Sequence, residues 1–188
     1  MEIKTVARTV PIVALRGSVV FPQNEAILNF GRPKSKAAVQ AAFGGDRLLA
    51  VFTQRDARIA VPNEDDLYEY GTLVTVQEIM PTGMEIHALV RGVARVKLSS
   101  VVTEEPFLLA RVIEDPIEIK NSDEEIATSK HTTELFTKAI HLGKAVEFNQ
   151  SVMRITSGNA DPVEVAYQIA SSLDIKTSEK QSILEINV

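Results

Sequence analysis

The chain has 188 residues, 45% of them hydrophobic and 24% charged, a formal net charge of -5 and no cysteine. That length can bury one large core or two small ones, and the missing cysteine excludes disulfides and thiolate metal sites. A pI near 5.3, 5% aromatic content and no tryptophan make a phosphate backbone or stacked bases poor default partners. No run of about 18 apolar residues offers a membrane span. Residues 1–10 lack the apolar core of a signal peptide, so a cytoplasmic protein is the expectation.

The stretch from Val10 to Ser35 carries the densest structural instructions. Pro11 removes a ladder donor, so Ile12 to Leu15 reads as a strand that begins at a sheet edge and ends in the Arg16-Gly17 turn. A second apolar pulse, Val19-Val20-Phe21, stops at Pro22. Ala26, Leu28 and Phe30 then alternate with Ile27 and Asn29, the period of a half-buried strand. Gly31-Arg32-Pro33 turns the chain into an alanine-rich helix with Pro33 at its first position, and Gly44-Gly45 ends it. Arg47 to Phe52 is a continuous apolar run, the mark of a strand covered on both faces. A polar loop follows as far as Asp66. Residues 73–79 and 84–90 form a hairpin around Pro81-Thr82-Gly83, with a connection of four or five residues expected. Strands over 94–102 and 106–112 complete a bent antiparallel sheet.

Beyond Asp115 the spacing turns helical. Ser122 and Glu125 make a capping box, and Ile126, Leu135, Phe136, Ala139, Ile140 and Val146 supply an imperfect apolar stripe. Phe148, Val152 and Ile155 mark the next face, with Gly158 as its C-cap. Asp161-Pro162 restarts a helix, with Asp as N-cap and Pro at N1. Val163, Tyr167, Ala170 and Leu173 follow at helical spacing. A further box is expected at Ser178 to Gln181. The new apolar face has barely begun at Val188, so a longer parent chain is expected.

Leu15-Arg16, Val19, Phe21-Pro22, Gly31-Arg32 and Ser35 fall in step with a "PLR-x-x-V-x-FP" segment followed by "VGR-x-x-S". Asp66-Leu67-Tyr68 with Gly71-Thr72 matches "DLY-x-x-GT", and Gly92 with Arg95 matches a "G-x-x-R" turn that leads into the strand over 94–102. These motifs resemble the N-terminal domain of Lon, the ATP-dependent AAA+ serine protease. Ala14 and Asn29 depart from the pattern, where the family commonly has proline and valine. The resemblance implies an α+β fold: a PUA-like β-domain over 1–116 with one short helix, then a helical subdomain over 117–188 that leads to an absent ATPase module. It implies a non-catalytic domain that engages unfolded or tagged protein substrates and helps a hexamer assemble. ATP and Mg²⁺ would belong to the parent protein. A stand-alone Lon-domain adaptor without a protease is the alternative. RNA binding rests only on fold analogy.

The chain itself carries little chemistry. Gly31 to Ser35 lacks the glycines of a phosphate loop, and Pro33 deletes an amide. His87, His131 and His141 have no metal-ligand spacing. Neighbouring serines and lysines supply neither an oriented base nor an oxyanion hole. The acidic pairs Asp65-Asp66 and Glu124-Glu125 read as a solvated loop and a helix start. No catalytic, cofactor or metal residue is therefore assigned. Binding to unfolded clients would use exposed apolar side chains, and Met84, Phe148 and Met153 are the candidates. Each has a competing assignment to the core, strongest for Phe148.

Overall fold

The computed structural model describes residues 6–120, 122–143, 150–158 and 160–186. Six strands form one mixed sheet: β1 (Ala7–Leu15), β2 (Glu25–Phe30), β3 (Leu48–Thr53), β4 (Tyr70–Thr82), β5 (Glu85–Thr103) and β6 (Leu109–Glu114). Their order is β2-β5-β4-β3-β1-β6, and a further β5–β6 pairing closes β5, β4, β3, β1 and β6 into a small barrel. β5 makes this possible by its length. Its first half pairs β2 through Ile86 to Arg91, and its second half pairs β6 through Val96 to Thr103.

Helix α1 (Pro33–Gly44) starts with proline at N1 and crosses to β3, which makes the β1–β3 pair parallel. Alternation then divides the apolar side chains. Val13, Leu15, Leu49, Val51, Val74 and Val76 face α1, where Ala38, Val39 and Ala42 bury against them. Ile12, Ala50, Phe52, Leu73, Val96 and Val112 fill the barrel. The unbroken apolar run in β3 is thus explained by burial on both faces.

The sequence expectation fails at four places in the sheet. The sheet is mixed and not antiparallel, because the chain reaches β3 through α1 and lays it parallel to β1. β1 is not an edge, because it pairs both β3 and β6. Ile12 N–H donates to the Leu108 carbonyl on the β6 side, so the donorless nitrogen of Pro11 faces the β3 side, where pairing begins only at Ile12. The β4–β5 connection has two residues, not four or five. Thr82 pairs with Glu85, and Gly83 at φ +59 supplies the positive φ that so short a link requires. Gly92 makes no turn, since β5 runs straight through it. A Cβ there would collide with the Phe21 carbonyl. Gly92 also donates to the Asn24 carbonyl and accepts from Gln23 N–H. Glycine is needed for that close approach.

Four helices follow: α2 (Asp123–His141), α3 (Gln150–Thr156), α4 (Pro162–Ser172) and α5 (Thr177–Glu185). The capping boxes at Ser122 and the Asp161-Pro162 start form as their residues suggest. The box expected at Ser178 to Gln181 does not form; half of one lies two residues earlier, at Lys176, whose side chain has no acceptor to complete it. Glu179 reaches back to the Lys176 N–H at 2.8 Å, and Ser178 lies inside the helix, where its carbonyl accepts from Ser182. The α2 stripe is only partly buried: Phe136 is enclosed, while Ile126 and Leu135 are exposed. Phe136, Val152, Ile155 and Val165 bury one cluster among α2, α3 and α4. A second cluster joins Tyr167, Ala170 and Leu184 to Phe21, in the segment between β1 and β2.

Glu164 in the first turn of α4 is buried, and Arg154 Nη2 lies 2.9 Å from its Oε2, off the hydrogen-bonding direction. Desolvation raises the Glu164 pKa above the ordinary 4.5, opposed by Arg154. A raised acid pKa contributes stability fully present below the unfolded value and lost as pH rises through the folded one. Glu164→Gln is therefore expected to remove a decline in stability that wild type shows as pH climbs above about 4.5. Urea midpoints between pH 4 and pH 8 check this, and parallel profiles would refute it.

Candidate functional site

The outward face of β2, β5 and β4 follows from their register. Asn29, His87 and Met80 stand in one cross-strand row, and Ile27, Leu89 and Glu78 stand in the next. The alternate residues Leu28, Phe30, Ile86 and Ala88 point into the core. Among the described residues nothing packs over the outward row. Ile27 is 66% exposed, Met80 54% and Met84, at the hairpin tip, 87%. Leu89 is half-buried between them. Glu25, Glu78, Glu85 and Arg91 rim this crest.

The crest is held firmly. Lys36 Nζ on α1 donates to the Met84 carbonyl at 2.9 Å, and every strand beneath it is paired to the core. Flexible methionine side chains on such a base can repack around differently shaped apolar groups. Among the described residues no group of three or more His, Cys, Asp or Glu is placed to hold a metal ion.

Of the three residues singled out from sequence, Met84 lies on this crest. Met153 is also exposed, at 61%, but sits on α3, whose inner face packs with α2 and α4. The two belong to different surfaces. Phe148 lies outside the described residues. Sequence reasoning missed Ile27 and Met80. The alternation in β2 already put Ile27 on the outer side, but only the β4–β5 register places Met80 on the same face.

Arg95 is a third missed residue. It leaves β5 with its side chain 3% exposed. Its Nε donates to the Asp115 carbonyl at 2.8 Å and its Nη2 to Asp115 Oδ2 at 2.8 Å. Its Nη1 reaches the carbonyls of Leu184 at 3.2 Å and Ile186 at 2.8 Å. The guanidinium lies 5.0 Å over the Tyr70 ring. It thereby ties the barrel to the carbonyl end of α5 and to the segment leading from β6. The arginine of the "G-x-x-R" motif was the available signal.

These elements define an α+β module, a closed barrel backed by one helix and carrying a helical cluster on one flank. The chain belongs to the family described as the ATP-dependent protease La (LON) substrate-binding domain, which matches residues 9–187. It is 32% identical over 179 residues to the Lon protease of Clostridium acetobutylicum, covering 94% of this chain and 23% of that protein. It is 35% identical over 178 residues to Lon protease 2 of Desulfotalea psychrophila, again 94% of this chain and 23% of the relative. The chain thus spans about a quarter of those relatives' length. The N-terminal domain of Mycobacterium avium complex Lon protease superposes with a TM-score of 0.75 at 18% identity, over 95% of this chain and 90% of that one. At that identity the likeness establishes the fold.

Proposed function

We propose that this chain is the non-catalytic, client-engaging part of a Lon-type ATP-dependent protease that degrades misfolded and selected regulatory proteins. The β4–β5 crest, with Met84 at its tip, is its primary contact and Met153 on α3 a second. The exposure of Ile27, Met80 and Met84 over the paired strands β2, β5 and β4 carries this reading. An unfolded or tagged client offers apolar side chains that such a crest can cover. Family membership and the share of the relatives' length that the chain covers support a parent that supplies ATP hydrolysis with Mg²⁺, peptide cleavage and hexameric assembly in the cytoplasm. Within the piece, residues 1–116 form a PUA-like unit for reception and residues 117–188 a helical unit that hands on to the ATPase module.

Changing Ile27, Met80 and Met84 together to serine is expected to weaken binding of reduced, carboxymethylated α-lactalbumin about tenfold or more. The thermal midpoint should stay within about 2 °C, because no core contact is lost. Fluorescence anisotropy with labelled α-lactalbumin measures this. Unchanged affinity would sink the crest as the contact surface, and a loss seen only in Met153→Ser would move that surface to α3.

A further inference from the structure

Beside the crest, two lobes of one cleft meet at Arg32. One, of about 610 Å³, is lined by Arg16 and Arg32. The other, of about 570 Å³, runs from Arg32 along Val61, Pro62, Pro106 and Leu108. Arg16 Nη2 lies 3.3 Å and Arg32 Nη2 3.5 Å from the same oxygen, the Ile59 carbonyl. Arg32 otherwise donates to Gln54 Oε1 at 2.5 Å.

Among the described residues neither guanidinium has a carboxylate partner. The nearby Lys34 is neutralised by Glu105 at 2.7 Å, and Glu85, whose carboxylate lies against Gly31 in the same lobe, forms no ion pair with either arginine. Two like charges are thus drawn to one neutral oxygen. Burial and the charge of Arg16 hold Arg32 below its usual pKa. The first turn of α1, at the same junction, has no side-chain cap and no acidic residue. An incoming carboxylate would relieve the repulsion and take charge-assisted bonds from both arginines.

We propose that this cleft binds the free C-terminal carboxylate of a peptide whose last residue is apolar. Arg32 sits where the lobes join, with Arg16 in the first lobe beside it, so a carboxylate bound between them has the apolar second lobe next to it. At a C-terminus the carboxylate and the apolar side chain belong to one residue. An internal acidic residue would put its apolar neighbour on the opposite side of an extended strand. Backbone-terminus capture of this kind is a known mode of peptide recognition. The inference names a chemistry for client recognition and rests on that reading only for the source of the peptide.

The test is anisotropy of fluorescein-labelled hexapeptides ending in two leucines: the free acid, the C-terminal amide, and an amide with aspartate in the third position. The free acid should bind at least about tenfold tighter than either amide. Arg16→Gln, at an exposed side chain, should erase that preference by weakening the free acid while leaving binding of the amide unchanged. The crest triple variant should keep the preference. Equal binding of acid and amide, no binding of any peptide, or a preference that survives Arg16→Gln would each overturn the proposal. Internal aspartate matching the free acid would overturn the terminal assignment.

Discussion

Arg95→Ala is expected to cost about 3–5 kcal/mol, the range for removing one partner of a buried ionic cluster. The loss arises at the oxygens left behind. The carbonyls of Leu184 and Ile186, and that of Asp115, all take their bond from this one guanidinium. The Asp115 side chain is partly open to solvent and can rehydrate; the Leu184 carbonyl, whose bond is buried, can do so only if α5 lifts away. Lysine keeps the charge but not the fork, so Arg95→Lys should recover less than half of the loss. Hydrogen exchange separates this from general destabilisation. Amides of α5 should lose protection well before those of β3 and β4 in the alanine variant. Uniform loss across the chain, or a cost under about 1 kcal/mol, would show that the clasp does not hold α5.

Much of the architecture was legible because the local signals were strong. Pro33 after Gly31-Arg32 and the Gly44-Gly45 stop bounded α1. Asp161-Pro162 began α4, and the double-sided apolar run found β3. Barrel closure was harder to read. Nothing in the alternation of β5 reveals that one edge pairs two strands in succession, so Pro11 suggested an edge strand and Gly92 a turn. Pro81 likewise argued for a longer loop, although β4 has lost β3 as a neighbour beyond Thr75 and can accommodate proline there. The candidate surface was half legible. Turn position pointed to Met84, but Ile27 and Met80 become neighbours only through register, a property of three strands together. The α2 stripe misled for the opposite reason: helical spacing marks a face that could be buried, and among the described residues no element covers Ile126 or Leu135.

Phe21→Ala is expected to match the Arg95 variant in size, about 3–5 kcal/mol, and to strike the same joint. Phe21 is absent from both barrel clusters. It packs with Tyr167, Ala170 and Leu184, its ring centroid 5.4 Å from that of Tyr167. Burial in this contact pushes the Tyr167 phenol up to about 12. The backbone of Phe21 is pinned from below by Gly92, and Asn24 three residues on donates to the Tyr167 carbonyl at 3.3 Å. Gln181 from α5 adds a bond to the Tyr70 carbonyl at 2.9 Å. The Phe-Pro and Gly-x-x-Arg motifs, far apart in sequence, therefore serve one junction between barrel and helices. If they act as one unit, the double variant Phe21→Ala with Arg95→Ala should cost clearly less than the sum of the singles, because either change alone already frees α5. Urea unfolding of the four proteins gives the coupling. Additive losses would mean that Phe21 and Arg95 stabilise the chain independently, and that α4 and α5 are held by separate contacts.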